Sequence, residues 1–320
     1  MPINARGRIA RRTLLAAPLA ACGPRIEGSG PAIGAPALAD DALVMADGYR
    51  LPLRHWPVEG EPRGAILALH GFNDHAGAWD IPAPLFGAQG LKLYAYDQRG
   101  FGATATRGIW PGTDALVADC VAATALIRAR EPTLPLALMG ESMGAAVLLA
   151  AGDAPRADAW VLLAPAVWGR ATMNPIARGA LWFFARALPS MAVSGGNPVT
   201  RVTDDEAVLR AMARDPLLIR QTRTDAVAGV VDMMDAARAA APSFDPGPTL
   251  ILWAGRDDII PGGAMRSFLE SLPASPPAVR TVRFERGGFH LLLRDSGRGA
   301  RATVIGAFLH RHLPPPATTG

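Results

Sequence analysis

Cysteine and lysine are almost missing from this chain. Two of its 320 residues are cysteine, Cys22 and Cys120, which excludes a framework of structural disulfides. Cys120 falls in the apolar-periodic stretch 115–127, where a buried, inert thiol is expected. Lys92 is the single lysine among 32 basic residues; the rest are arginine. Half of the residues are hydrophobic, yet no run reaches the ~18 apolar residues of a membrane span. The basic excess is local. Arg6, Arg8, Arg11 and Arg12 lie in the first 21 residues, which hold no acid, and without them the net charge of +4 falls to zero. The remainder has no cationic surplus for a nucleic-acid backbone, so no nucleic-acid partner is expected. No His/Cys/carboxylate group has metal-ligand spacing, so neither a metal nor another cofactor is implied.

What is present begins with a processing signal. Residues 1–12 form a positively charged region and 13–21 a short apolar one, ending in Leu19-Ala20-Ala21-Cys22-Gly23. This resembles a bacterial lipobox with Cys22 as the lipid-modified residue, and it predicts a lipid-anchored protein on the periplasmic side of the cell envelope. The alternative is a cytoplasmic protein with a chance apolar stretch. Residues 23–38, rich in Gly, Pro and Ala, read as a flexible spacer, and 314–320 as a disordered tail.

Residues 39–313 alternate strand-like apolar runs with helical periodicity, the pattern of an α/β domain with a mainly parallel sheet and helices on both faces. Runs 43–45 and 51–56 flank Asp47-Gly48 and predict an antiparallel hairpin. Buried-type strands are predicted at 65–69, 91–96, 136–139, 159–163, 249–253 and 279–284, and helices at 113–128, 143–151, 263–271 and 299–310. From about 167 to 243 the strand rhythm stops. That stretch is too long for a connection and reads as a helical insertion capping the sheet's C-terminal edge.

The strongest chemical signal is Gly140-Glu141-Ser142-Met143-Gly144, between a predicted strand and a predicted helix. In that context G-x-S-x-G marks a nucleophile elbow. Ser142 would occupy a strained turn at a helix N-terminus, and side chains at 140 and 144 would collide with the neighbouring strand and helix. A serine needs an imidazole to take its proton. In the order serine, acid, histidine, the histidines left are His290, His310 and His312. His290, on a glycine-bearing loop after a strand, is chosen; the other two flank the end of the final helix. The acid is Asp257, after the 249–253 strand, with Asp258 as runner-up. A tetrahedral oxyanion needs two backbone N–H donors, expected from Met143 and from Phe72 in the loop His70-Gly71-Phe72-Asn73-Asp74-His75. His70 is expected to brace that loop.

Together these residues resemble the monoacylglycerol lipase and lysophospholipase branch of the α/β hydrolases, which shares its pattern with serine aminopeptidases. The resemblance covers about residues 40–310. It is carried by the loop at 70–75, Asp97-Gln98-Arg99-Gly100-Phe101-Gly102, the 140–144 motif, Leu163-Ala164-Pro165-Ala166, Gly255-Arg256-Asp257 and Gly288-Phe289-His290-Leu291-Leu292. It implies the α/β-hydrolase fold, with an eight-stranded type of sheet and a helical cap. It also implies a Ser142–Asp257–His290 triad, an oxyanion hole from Phe72 and Met143, and structural roles for Asp97 and Arg99. Glu141 stands where several relatives carry histidine. The implied activity is hydrolysis of a small amphiphilic ester through an acyl-enzyme.

Within the cap, 174–189 carries Trp182, Phe183, Phe184 and other apolar residues at helical spacing. These read either as core or as a surface open to an acyl chain or to lipid. Trp168, Trp182 and Phe183 are the substrate-contact candidates, with Trp110 expected to line the same pocket as Trp168. Two rivals use the same triad: a small-molecule carboxylesterase, and an aminopeptidase or amidase with Asp204, Asp205 and Glu206 as its amine pocket. Aspartate in place of Ser142 would mark a haloalkane dehalogenase. A non-catalytic receptor on this fold is the remaining alternative. Oligomeric state is not encoded in any recognisable pattern.

Overall fold

A computed structural model describes residues 23–194, 201–276 and 279–317. The expected signal segment, Cys22 included, lies outside the described residues.

An antiparallel margin opens the sheet: β1 (Ala37–Leu38), β2 (Ala42–Val44) and β3 (Arg50–Trp56). Six parallel strands follow, β4 (Gly64–Leu69), β5 (Leu91–Tyr96), β6 (Leu136–Glu141), β7 (Ala159–Leu163), β10 (Thr249–Ala254) and β11 (Arg280–Glu285). Their order is β1-β2-β3-β5-β4-β6-β7-β10-β11, nine strands rather than eight among the described residues. The added strand is β1, two residues from the end of the expected spacer. The short cap strands β8 (Ala192–Ser194) and β9 (Gln221–Arg223) pair separately, so the cap is not purely helical.

The alternation of side chains across the pleat divides the core in two. In β4, Ala65, Leu67 and Leu69 join one cluster and Ile66 and Ala68 the other; in β6, Leu136 and Leu138 part likewise from Ala137 and Met139. The first cluster is covered by α2 (Thr113–Arg130), α3 (Met143–Ala151), α6 (Thr224–Ala240) and α7 (Gly262–Ser271). The second is covered by α1 (Ala83–Gly87) and α8 (Arg298–His312). Apart from half-buried Ala150, α3 is buried all round, which explains why its sequence lacks a polar face. The cap supplies α4 (Pro175–Ala187) and α5 (Glu206–Arg214) as well as α6.

Chain order and sheet order diverge around β4. From β4 the chain steps to β5 on one side, then crosses back to β6 on the other. Such a switch opens a crevice at the C-terminal ends of the two strands, and the loop at 70–75 and the 140–144 motif both start there.

The segment read as a flexible spacer is pinned along the domain. Arg25 N–H donates to Asp225 (3.0 Å), Glu27 N–H to the Trp110 carbonyl (2.9 Å), Gly30 N–H to Asp47 (3.0 Å) and Ile33 N–H to the Ala46 carbonyl (2.8 Å). Its composition lowers the preference for regular structure, but free backbone groups still find partners where a groove offers them. In the tail, Ala317 N–H donates to Thr133 O at 2.8 Å. Cys120 is fully buried, and burial pushes its thiol up to about 12.

Candidate functional site

Ser142 is the single residue between β6 and α3, with φ 54° and ψ −113°. A non-glycine residue with φ > 0 is strained and persists only where its surroundings over-determine it. Here they do. Ser142 N–H donates to Leu163 O (2.9 Å), and its carbonyl accepts from Ala146 N–H (3.1 Å) and Ala166 N–H (3.0 Å). The flanking glycines have no alternative. A Cβ on Gly140 would sit 2.5 Å from the amide nitrogen of Ala145, and one on Gly144 would run into the carbonyl of Leu69 at the end of β4. The collisions foreseen for both positions are therefore present, with the helix in one case and the strand in the other.

His290 follows β11 on a buried loop. Its Nδ1 lies 2.8 Å from Asp257 Oδ2, so one bond fixes the ring's orientation. The other carboxylate oxygen, Oδ1, accepts from the N–H groups of Ile259 (2.8 Å) and Ile260 (2.9 Å). Asp257 is thus held from behind while it faces the imidazole. Asp258 is exposed one residue on, which separates the two candidates. Burial disfavours the imidazolium of His290, but the facing Asp257 carboxylate and the more distant Glu141 outweigh it and hold His290 above the usual histidine range. Burial likewise raises Asp257, and the His290 charge with the two amide donors brings it below the usual carboxylate value.

The loop at 70–75 borders the elbow: a Cβ on Gly71 would lie 3.4 Å from Ser142 Cβ. His70 is fully buried, and burial pushes its imidazole down towards the neutral form. Its Nε2 accepts from Gln98 N–H (3.0 Å), so Nδ1 carries the proton and donates to Gly71 O (2.8 Å). His70 braces the loop, as expected. Among the described residues neither Phe72 N–H nor Met143 N–H, at the N-terminus of α3, donates a hydrogen bond. Asp97 accepts from Ala76 N–H (2.8 Å) and Ala103 N–H (2.7 Å), and Arg99 bridges Asp47 and Asp119; both pin the neighbouring loop.

Several partners escaped the sequence. Arg294, four residues after His290, is buried with Nη2 2.6 Å from Glu141 Oε2 and 2.8 Å from Asp74 Oδ2. The only hint was a charged pair, Arg294-Asp295, directly after an apolar run. Asp295 accepts from Phe289 N–H (3.1 Å) beside the base. The 70–75 loop is also tied to the cap: Asn73 Nδ2 donates to Thr222 Oγ1 (2.7 Å), and His75 Nε2 meets Asp215 Oδ2 (2.8 Å).

The cap candidates are dispersed. Trp168 is half-buried against the core. Trp110 is a packing residue: it is buried against Phe72, and a Cβ on Gly229 would strike its indole. Trp182 and Phe183 on α4 are 58% and 53% exposed. The acidic cluster is already engaged. Asp204 accepts from Ser296 N–H (2.8 Å) and hydroxyl (2.7 Å), Asp205 caps α5 and pairs with Arg298 (2.7 Å), and Glu206 pairs with Arg201 (2.6 Å). Among the described residues no group of three or more His, Cys, Asp and Glu could hold a metal ion, and no helix is long and apolar enough to cross a membrane.

Comparison with known proteins shows the family. The family model "Serine aminopeptidase, S33" matches residues 60–297. A monoacylglycerol lipase of Mycolicibacterium smegmatis is 25% identical over 235 residues, 72% of this chain and 84% of that relative. A monoglyceride lipase of Rattus norvegicus is 24% identical over 79% of this chain and 84% of its own length. Among solved structures, a soluble variant of monoglyceride lipase from Saccharomyces cerevisiae, in complex with a substrate analogue, superposes with a TM-score of 0.70 at 16% identity, covering 91% of this chain and 99% of that one. Paleococcus ferrophilus monoacylglycerol lipase gives 0.66 at 20% identity, covering 82% and 99%. The chain belongs to the serine aminopeptidase S33 family, in the monoacylglycerol-lipase-like branch of the α/β hydrolases.

Proposed function

We propose that the protein cleaves carboxylic esters of small amphiphilic substrates, of the monoacylglycerol or lysophospholipid type, through an acyl-enzyme on Ser142. The observation that carries this reading is the His290–Asp257 pair at 2.8 Å, on the same sheet edge as a serine held in a positive-φ turn. His290 Nε2 takes the hydroxyl proton as Ser142 Oγ bonds to the ester carbonyl carbon. The oxyanion is received by the N–H groups of Phe72 and Met143, where the α3 dipole adds to the attraction. His290 returns the proton to the leaving alcohol. Water then enters by the same route, releases the acid and regenerates Ser142. Asp257 holds the ring and supports the imidazolium throughout. The monoglyceride lipase names of the relatives support the choice of substrate class. The engagement of Asp204, Asp205 and Glu206 by neighbouring groups argues against their use as a pocket for a substrate amine.

The test is a series of esters from acetyl to oleoyl, including monooleoylglycerol, with Ser142→Ala as control. Turnover that rises with chain length and vanishes in the variant supports the reading. Turnover confined to short acyl groups recasts the protein as a small-molecule esterase.

The same proposal extends to location. Arg25 is bonded to Asp225 of α6, whose own N–H donates to Pro189 O just past α4. Three residues span at most ~10 Å, so a lipid on Cys22 would hold the chain beside α4. There Ile176, Trp182, Phe183 and Leu188 are exposed, as an interfacial helix requires. In cells the full chain should fractionate with membranes and Cys22→Ala should not; a Cys22→Ala variant that stays membrane-bound removes the tether.

A further inference from the structure

One charged cluster beside the site takes no direct part in acyl transfer. Arg294, Glu141 and Asp74 are each at most 6% exposed, and a single guanidinium nitrogen meets both carboxylates. Burying three ionised groups is costly, and such triads are often no more stabilising than an apolar replacement. Packing alone therefore gives a weak reason for it.

Its connections give a better one. Glu141 is the residue before Ser142, at the end of β6. Asp74 lies two residues beyond Phe72, and its other oxygen, Oδ1, accepts from His75 N–H (2.8 Å). Arg294 sits on the turn that follows His290, where its N–H donates to Leu291 O (2.9 Å) and its carbonyl accepts from Thr203 Oγ1 (2.8 Å). One side chain thus joins the three segments that carry the nucleophile, the oxyanion donor and the base. Asn73 and His75 bind the same donor loop to the cap, and Asp74 links it through Arg294 to Glu141 at the elbow.

We propose that Arg294, bridging Glu141 and Asp74, is a positioning residue that keeps the elbow, the Phe72 loop and the His290 loop in register for acyl transfer. The inference rests on the ester-hydrolase reading of Ser142. It has an electrostatic consequence as well as a geometric one. The charged groups facing His290 are Asp257 from the loop after β10, Glu141 from the elbow and Arg294 from its own segment; Asp74 reaches the base through Arg294. Asp257 and Glu141 favour the imidazolium, and Arg294 opposes it. Loss of the Glu141 charge lets the base shed its proton at lower pH, and loss of the Arg294 charge requires higher pH.

The experiment is the pH profile of kcat/KM on a short-chain p-nitrophenyl ester for wild type, Glu141→Gln, Arg294→Met, Arg294→Lys and Ser142→Ala. Arg294→Met should lower kcat about 10- to 100-fold with little change in KM, the pattern of lost alignment, and should move the acid limb upward. Glu141→Gln, which keeps the volume and a hydrogen bond to Arg294, should move that limb downward. Arg294→Lys keeps the charge, so it should leave the limb in place and recover part of kcat. If Arg294→Met does not fold, the direction in Glu141→Gln decides alone. An acid limb unmoved or raised in Glu141→Gln overturns the proposal. Activity in Ser142→Ala would instead overturn the ester-hydrolase reading beneath it.

Discussion

Every residue of β6 is buried and α3 is nearly so, whereas the thirteen-residue α4 buries Ala185 alone. Both segments are rich in apolar side chains, but their surroundings differ. At the elbow the N–H and carbonyl of Ser142 and the missing Cβ atoms of Gly140 and Gly144 are each answered by a neighbour: Leu163 and Ala166 on one side, Leu69 and Ala145 on the other. On α4 the aromatic side chains stay largely exposed: the rings of Phe183 and Phe184 are 5.5 Å apart and the Arg186 guanidinium lies 4.8 Å over Trp182. Where packing over-determines a position, its residue type reports chemistry. Where nothing covers a side chain, the same hydrophobic pattern reports only that a helix forms.

That contrast can be broken or sharpened by substitution. The largest expected effect is at the elbow: Ser142→Ala should lower kcat for ester hydrolysis by about 10⁴-fold or more while leaving KM and melting temperature near wild type. Asp257→Asn comes next, with a loss of about 10²–10⁴-fold, because the amide can hold the imidazole in the wrong tautomer and lacks the charge that supports its protonated form. The same charge sets a pH dependence. A base held above the usual histidine range must be neutral to act, so kcat/KM should rise with pH through a midpoint above that of free histidine. Asp257→Asn should move this limb downward; a limb unchanged in the variant would contradict the assigned pair. Gly144→Ala should lower unfolding stability by about 2–3 kcal/mol in denaturant titration, since the new methyl meets the Leu69 carbonyl. The smallest effect belongs to α4. Trp182→Ala with Phe183→Ala should leave stability within about 0.5 kcal/mol, as is usual for exposed sites, and lower kcat/KM about 3- to 10-fold for long-chain esters only. Equal losses on acetyl and oleoyl esters would place these aromatics outside substrate capture.

The same difference explains what could be read from sequence. The six parallel strands match their expected positions within about two residues; the five inner ones are buried on both faces and therefore largely apolar, whereas β11, read as a buried-type run, is the exposed edge strand. Gly140 and Gly144 were legible because backbone proximity leaves glycine as the one residue that fits. Position after the strand favoured Asp257 over Asp258 only narrowly, and the amide donors of Ile259 and Ile260 are what single it out. Arg294 was silent, since its partners lie 153 and 220 positions away and no local period encodes them. The cap's β8–β9 pair was missed because three-residue strands carry too few positions for alternation to register. The packing of Trp110 on Phe72 and Gly229 was equally silent, because an aromatic beside a loop looks the same in sequence whatever it touches.

The central claim is a single activated serine, and covalent labelling tests it most directly. Incubation of the protein with a fluorophosphonate, followed by intact-mass and peptide analysis, should add one phosphonyl group at Ser142 and abolish ester hydrolysis in parallel. The label should be absent in Ser142→Ala and much slowed in Asp257→Asn. Full ester hydrolysis in a protein labelled completely at Ser142, or labelling at another residue that tracks the loss of activity, would contradict the account.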